Sequence, residues 1–156
     1  MAVEVGSQAP DFTTRTASGE EVTLSSFRGE KSVLLVFYPF AFSGICTSEL
    51  CQVRDELPRY QNDDVQILAV STDPTFTLKA WAKAESYEFP LLTDFWPHGA
   101  IAQAYGVFND KAGFAVRGTF LIDKTGTVRF AEVNEPGAAR DQSGWQKAIA
   151  VLASAS

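Results

Sequence analysis

VLLVFYPFAFSGIC, residues 33–46, is the stretch that decides how this chain folds. Its first six residues form a short, continuous apolar run, which predicts a strand buried on both faces of a sheet. Pro39 ends that strand because proline has no N–H group to donate to a ladder. A helix is predicted next, with Cys46 in its first turn. Four apolar residues follow at helical spacing: Leu50, Val53, Leu57 and Tyr60. Pro58 either kinks this helix or marks its end near Leu57.

Strands and helices alternate along the rest of the chain. The predicted strands are a hairpin over residues 10–24 turning at Ser18-Gly19, a buried strand over residues 65–71, and strands over residues 119–123 and 127–133 around Lys124-Thr125-Gly126. Three more helices are predicted. One begins at Asp73-Pro74 and runs to about Glu85, and a second contains Ile101, Ala104 and Tyr105 and ends at Gly106. The third, near the end of the chain, contains Trp145, Ala148, Ile149 and Leu152. This order predicts one α/β domain over residues 1–156, with a central mixed sheet flanked by helices. A thioredoxin-like fold has this order, and the hairpin is then an N-terminal extension.

Composition excludes several classes of protein. The chain has 156 residues, a net charge of -6 and no basic block, which argues against a nucleic-acid partner. No apolar run approaches the ~20 residues that a membrane-spanning helix needs. The N-terminus has no basic region followed by an apolar stretch, so we read no signal peptide and expect a cytoplasmic protein.

Two cysteines, Cys46 and Cys51, and one histidine, His98, are the scarce reactive residues. They are too few for a disulfide scaffold or for a zinc site, which needs about four ligands. Cys46 lies where a buried strand passes into a helix, and the free N–H groups and dipole of a helix N-terminus favour a thiolate. From spacing alone, a buried structural cysteine explains Cys46 equally well.

Three further residues have a structural and a functional interpretation each. Ser43 is a good N-cap, and its hydroxyl could also hydrogen-bond a substrate bound beside the Cys46 sulfur. Pro39 terminates the strand, and its ring could shield a thiolate from water. Arg117 could form a surface ion pair, or it could stabilise the thiolate and the charge on a departing oxygen. Sequence alone does not bring Arg117 next to Cys46.

The chain resembles the peroxiredoxin family. Pro39 to Cys46 match the family motif of proline, three residues, threonine or serine, two residues and cysteine. Other landmarks follow the family order: Ala9-Pro10-Asp11-Phe12, Leu91-Leu92-Thr93-Asp94, Arg117-Gly118-Thr119-Phe120-Leu121-Ile122-Asp123 and Gly126. Three segments resemble the alkyl hydroperoxide reductase E subgroup, usually described as one-Cys: Phe95-Trp96-Pro97-His98-Gly99, Ala104-Tyr105-Gly106-Val107-Phe108-Asn109 and Arg140-Asp141-Gln142.

This resemblance implies a thiol-dependent peroxidase without metal or organic cofactor. It implies that Cys46 reduces hydrogen peroxide and organic hydroperoxides, passing through a sulfenic acid. Pro39, Ser43 and Arg117 match the residues that build the family's peroxide pocket, and Glu49 matches a glutamate that orients the arginine. The subgroup also implies a homodimer whose interface lies near the active site.

Cys51 departs from the one-Cys subgroup. The spacing C-x4-C is that of the Q-type, bacterioferritin-comigratory peroxiredoxins, in which the second cysteine resolves the first. Residues five apart in a helix rise ~7.5 Å and point ~140° apart, beyond the ~7 Å Cα limit of a disulfide. A Cys46–Cys51 disulfide, reduced by thioredoxin, therefore requires the helix to unwind locally. Otherwise Cys51 is a packed residue, and mycoredoxin or a low-molecular-weight thiol reduces Cys46.

Two other functions fit parts of the sequence. A thioredoxin-type disulfide oxidoreductase would share the architecture, but it normally carries C-x-x-C. A redox sensor or holdase chaperone could use Cys46 as a switch and turn over little peroxide. Insulin reduction would reveal the first activity, and slow reaction with peroxide would favour the second.

Overall fold

The computed structural model describes residues 2–135, 137 and 139–154. Within them the strands are β1 Thr13–Arg15, β2 Glu21–Thr23, β3 Ser32–Phe37, β4 Val65–Ser71, β5 Leu91–Thr93, β6 Phe108–Asn109, β7 Phe114–Ala115, β8 Arg117–Ile122 and β9 Val128–Asn134. The α-helices are α1 Gly44–Asp55, α2 Thr75–Glu85, α3 Ala100–Ala104 and α4 Gln142–Ser154. Short 3-10 helices span Leu24–Phe27 and Leu57–Arg59. None of the helices in the described ranges is long and apolar enough to cross a membrane.

The central sheet is mixed and has the strand order β5-β4-β3-β8-β9. Strand β3 is parallel to β4, and β4 is parallel to β5. Strand β8 runs antiparallel to both β3 and β9. The C-terminal end of β3 and the start of β8 therefore lie at the same end of the sheet, and this is where α1 begins.

All six residues of β3 are buried, because each face of the strand packs into a core of its own. One core contains side chains of β3, α1, α2 and α4, including Leu34, Val36, Cys46, Leu50, Trp81 and Trp145. The other contains Val33, Leu35, Phe37, Tyr105, Val107 and Phe120. The sheet is thus covered on both faces, as the thioredoxin-like prediction requires.

Most predicted elements are confirmed. The predicted strand over residues 65–71 is β4, and the predicted strand over residues 33–38 is β3 shifted by one residue. The hairpin over residues 10–24 is β1 and β2, joined in register from Thr13↔Thr23. In α4, Trp145 is buried, and the apolar residues after it pack against the same core.

The ends of the helices differ from the sequence predictions. Helix α1 stops at Asp55, and Tyr60 lies beyond the 3-10 helix that contains Pro58. Asp73 does not cap α2, because Pro74 occupies the N-cap position. The Asp73 carboxylate instead accepts a hydrogen bond from the backbone of another loop. Ala104, predicted on the apolar face of α3, is exposed.

Three short strands lie outside the sequence prediction. Strand β5 extends the sheet next to β4, while β6 and β7 form a two-residue hairpin. Strands this short carry too few residues to show an alternating pattern. Strand β8 also begins two residues earlier than predicted, so Arg117 is its first residue rather than a residue preceding it.

Candidate active site

Cys46 is the third residue of α1 and is fully buried. Ser43 occupies the N-cap position of this helix in an extended backbone conformation. No side chain caps the first turn. Backbone N–H groups of this turn are therefore left to bind an anion close to the sulfur, as expected at a helix N-terminus.

Arg117 lies directly against the thiol. Because β8 is antiparallel to β3, its first residue extends past the end of β3 toward α1. The Arg117 Nη2 group donates a hydrogen bond to Cys46 Sγ at 3.2 Å, and the arginine side chain is 2% exposed. The guanidinium is therefore placed to bind a negative charge on the sulfur. The two residues that sequence could not bring together are thus in contact.

Glu49 lies almost one helical turn after Cys46 and fixes Arg117. Its Oε1 accepts a hydrogen bond from Arg117 Nη1 at 2.7 Å. Burial acts to raise the pKa of Glu49, but hydrogen bonds from Arg140 and the charges of Arg140 and Arg117 outweigh it. The pKa of Glu49 is therefore held below its ordinary value of 4.5, and the carboxylate is ionised at neutral pH.

Arg140 is a site residue that sequence reasoning did not identify. It donates to Glu49 from its backbone N at 2.7 Å, from Nε at 3.0 Å and from Nη2 at 2.8 Å. Its Nη1 group donates to Gly118 O and Thr119 Oγ1, and its guanidinium lies 5.4 Å from the centre of the Trp145 ring. The signal in the sequence is the segment Arg140-Asp141-Gln142, whose resemblance to the alkyl hydroperoxide reductase E subgroup assigns no role to the arginine.

Buried charged side chains meet in this cluster. Arg117 and Arg140 contribute positive charges, and the Glu49 carboxylate bonds both. Buried ions are stable only when they are paired and hydrogen-bonded. The Cys46 sulfur lies against one of these paired guanidinium groups, that of Arg117.

Ser43 and Pro39 lie in the loop that joins β3 to α1. The Ser43 hydroxyl does not cap the helix; it donates to the carbonyl oxygen of Phe40 at 3.0 Å. Pro39 is buried directly after Tyr38, which is also buried. The side chain of Ser43 is partly exposed and lies at the start of the helix that carries Cys46.

Cys51 faces a different part of the molecule. Its thiol donates to Glu85 Oε2 at 3.4 Å and lies 3.5 Å from the hydroxyl of Tyr87, just beyond the end of α2. The Tyr87 hydroxyl donates in turn to the carbonyl oxygen of Thr47. Helix α1 is continuous through both cysteines, and both thiols are free.

The described residues hold no group of three or more His, Cys, Asp or Glu side chains able to bind a metal ion. His98 has both ring nitrogens close to backbone oxygens, those of Phe95 at 3.2 Å and Gly113 at 2.7 Å.

Comparisons with known proteins identify the family of the chain. The family model described as the AhpC/TSA family matches residues 5–131, a range that includes Cys46 and Arg117. Alkyl hydroperoxide reductase E of Mycobacterium tuberculosis is 55% identical over 150 residues, covering 96% of this chain and 98% of the relative. Peroxiredoxin TSA2 of Saccharomyces cerevisiae is 34% identical over 151 residues, covering 90% of this chain and 76% of the relative.

Solved structures of similar proteins share the whole fold. The reduced 2-Cys peroxiredoxin of Plasmodium vivax has a TM-score of 0.87 and 29% identity, covering 97% of this chain and 83% of that one. Peroxidoxin BcpB of Mycobacterium tuberculosis has a TM-score of 0.82 and 28% identity, covering 97% of each chain.

Proposed function

The chain belongs to the AhpC/TSA family of peroxiredoxins and is a thiol-dependent peroxidase, and from this premise we propose that Cys46 is the sulfur that reduces the peroxide. One observation carries the proposal: a buried thiol at the N-terminus of α1, hydrogen-bonded by a buried arginine at 3.2 Å. The thiolate is the nucleophilic form of a cysteine, and the arginine donor is placed to bind it.

The first step is a displacement at oxygen. The Cys46 thiolate donates an electron pair to the terminal oxygen of the hydroperoxide, a sulfur–oxygen bond forms and the oxygen–oxygen bond breaks. The sulfur is oxidised to a sulfenic acid, and the peroxide leaves as alkoxide or hydroxide, which takes a proton from solvent to become alcohol or water. Hydrogen peroxide and organic hydroperoxides are the proposed substrates, and no metal or organic cofactor is required.

Five residues assist this step in the proposed mechanism. Arg117 stabilises the thiolate and the negative charge that develops on the departing oxygen. The hydroxyl of Ser43 rotates from the Phe40 carbonyl to hydrogen-bond the bound peroxide, while Pro39 shields the sulfur from water. Glu49 orients Arg117, because it accepts from one terminal nitrogen while the other faces the sulfur. Arg140 holds Glu49 in place from the opposite side.

The recycling step uses Cys51 in our proposal. The Cys51 thiolate attacks the sulfur of the Cys46 sulfenic acid, a sulfur–sulfur bond forms, and hydroxide leaves to become water. A dithiol protein such as thioredoxin then reduces the disulfide and is itself oxidised. Helix α1 must unwind between the two cysteines, and Cys51 must leave Glu85 and Tyr87. If it does not, mycoredoxin or a low-molecular-weight thiol reduces the sulfenic acid directly.

A homodimer in the cytoplasm is the proposed working form. Apolar side chains near the site are unusually exposed: Phe40 44%, Phe42 56%, Phe95 49% and Trp96 83%. Exposed aromatic residues are enriched in protein interfaces. Two free thiols and no disulfide fit a reducing compartment.

Peroxide consumption by purified variants tests the proposed function. With dithiothreitol as reductant, Cys46→Ser should lose all catalysed consumption of hydrogen peroxide. Ser48→Ala, an exposed neighbour on the same helix, should keep the wild-type rate. Substantial turnover by Cys46→Ser would reject the assignment, and wild-type reaction no faster than free cysteine would favour a sensor instead.

A further inference from the structure

Two loops lie side by side at the end of the sheet where α1 begins. Strands β3 and β4 are parallel and in register up to Phe37↔Val70, so both terminate there. The loop over residues 38–43 follows β3 and leads to Cys46. Asp73 follows β4 by two residues and is partly buried. Nothing in the peroxide chemistry described above uses Asp73.

Asp73 bonds the backbone of the neighbouring loop. Its Oδ2 accepts a hydrogen bond from the backbone N–H of Ala41 at 2.8 Å. The same oxygen accepts from Ser71 Oγ at 2.6 Å, which fixes the carboxylate. The carbonyl oxygen of Asp73 accepts from Thr93 Oγ1 at 2.6 Å, which fixes its backbone to β5. Asp73 is thus held both by its carboxylate and by its backbone carbonyl, while the carboxylate faces the loop.

The loop that Asp73 holds is strained. Phe42, directly after Ala41, has a φ of 68°, a left-handed conformation that an aromatic residue rarely adopts. Such conformations persist only where the surroundings impose them. Inside the loop, the Ser43 hydroxyl bonds Phe40 O. From outside, the Asp73 carboxylate accepts from the Ala41 N–H group in the middle of the loop, and the Thr47 N–H group of α1 donates to the Ser43 carbonyl oxygen at its end.

We propose that Asp73 is a positioning residue that holds the loop of residues 39–43 in the conformation that binds peroxide. The inference rests on the proposed function of Cys46. Asp73 does not touch the reacting sulfur in any described contact; it acts through the Ala41 N–H group. Without this acceptor the buried N–H group is unsatisfied, and the loop relaxes toward a conformation that displaces Pro39 and Ser43 from the pocket.

Two electrophiles distinguish a displaced pocket from an altered thiol. Hydrogen peroxide must be oriented by the loop before the Cys46 thiolate attacks it. Iodoacetamide alkylates the thiolate without that orientation. A variant that loses only the loop geometry should therefore react slowly with peroxide and normally with iodoacetamide.

The experiment compares Asp73→Ala, Asp73→Asn and Asp123→Ala by single-turnover rates at Cys46. Asp123 is the matched control, because its buried carboxylate also accepts backbone N–H groups, those of Thr125 and Thr127, but follows β8 at the opposite end of the sheet. We expect Asp73→Ala to react about tenfold more slowly with hydrogen peroxide. Its rate of alkylation by iodoacetamide should stay within about threefold of the wild-type rate, a smaller change than the loss expected with peroxide.

The conservative variant supplies the decisive contrast. Asp73→Asn keeps an acceptor oxygen and should recover most of the peroxide rate, and Asp123→Ala should match wild type with both reagents. Equal peroxide rates for Asp73→Ala and wild type would overturn the inference. So would an equal loss with both reagents, or an Asn variant as slow as the Ala variant. A wild-type Cys46 inert toward peroxide but alkylated normally would overturn the proposed function itself.

Discussion

Arg117 makes two different contacts with one side chain, and both depend on the planar fork of the guanidinium. One terminal nitrogen donates to Cys46 Sγ at 3.2 Å and the other to Glu49 at 2.7 Å. Lysine has one nitrogen on a flexible stem and cannot hold both geometries. At the scale of single residues, the shape of the cation is therefore as important as its charge.

Replacing Arg117 by lysine should lower the rate constant of Cys46 with hydrogen peroxide by about a hundredfold, the loss typical of one oxyanion-stabilising donor. Stopped-flow measurement of the single-turnover reaction checks this. Arg129→Lys is the control, since Arg129 pairs with Asp123 at the surface and is 55% exposed. A lysine variant as fast as wild type would mean that charge alone is sufficient.

Glu49→Gln leaves two buried guanidinium groups without their carboxylate. Removing one partner of a buried ion pair typically costs about 3–5 kcal/mol. Urea unfolding at pH 7 should show a loss of this order, against little change for Glu56→Gln near the surface. A loss below about 1 kcal/mol, typical of exposed pairs, would show that the cluster does not act as a buried network.

The stabilising effect of Glu49 should also depend on pH. Its folded pKa lies below the ordinary 4.5, so the ionised carboxylate stabilises the fold above the unfolded pKa. This contribution is lost as the pH falls through the folded pKa. The difference in unfolding free energy between wild type and Glu49→Gln should therefore shrink below about pH 4.5. A difference that stays constant from pH 7 to pH 3 would contradict this assignment.

At the scale of elements, α1 carries both cysteines but presents them to different neighbours. Cys46 faces β8, while Cys51 contacts Glu85 and Tyr87 near the end of α2. The helix must open before the two sulfurs can meet, so the contacts of Cys51 with α2 oppose the recycling step. Local opening costs less than global unfolding.

Tyr87→Phe should therefore speed disulfide formation several-fold after Cys46 has been oxidised. The variant removes a hydroxyl that contacts Cys51 Sγ and bonds the Thr47 carbonyl on α1. Alkylation quench with mass spectrometry follows the free thiols over time. Tyr105→Phe, which removes a hydroxyl bonded to Pro10 on the other core, should leave the rate unchanged. An unchanged rate in Tyr87→Phe would mean that these contacts do not limit resolution.

At the scale of the whole molecule, sequence periodicity predicts the layers but not the long-range contacts. Continuous apolar runs identify β3 and β4 because strands buried on both faces leave a strong pattern. The three-residue β5 leaves none. The pair Asp73-Pro74 predicts a helix cap, yet the Asp73 carboxylate accepts a hydrogen bond from the Ala41 N–H group, 32 residues away. The local capping rule fails there because the carboxylate has a tertiary hydrogen-bond partner.

The candidate site divides in the same way. Pro39, Ser43 and Cys46 belong to one motif, and Glu49 follows it by three residues, so a short stretch of sequence indicates all four. The contact of Arg117 with Cys46 spans 71 residues and follows only from the pairing of β8 with β3. Arg140 joins Glu49 from 91 residues away. Residue spacing does not predict such contacts, because they depend on how the sheet and the last helix assemble.

The exposed aromatic residues lead to a prediction about assembly. Trp96→Glu places a charge in the proposed subunit interface and should shift the protein from dimer to monomer. Val151→Glu is the control, since Val151 is 68% exposed on α4. Light scattering coupled to size exclusion measures the mass. A wild-type monomer, or a Trp96→Glu variant that stays dimeric, would show that Trp96 does not lie in a subunit interface.

Intact mass spectrometry of Cys51→Ser after one equivalent of hydrogen peroxide, with dimedone present, decides whether Cys46 is the sulfur that reduces the peroxide. We expect one dimedone adduct, located at Cys46 and absent from the Cys46→Ser variant. Wild type treated in the same way should mainly lose two hydrogen atoms by forming the Cys46–Cys51 disulfide, whereas a persistent adduct there would assign recycling to an external thiol. An unmodified Cys46 in the Cys51→Ser protein, with peroxide unconsumed, would show that Cys46 does not reduce it.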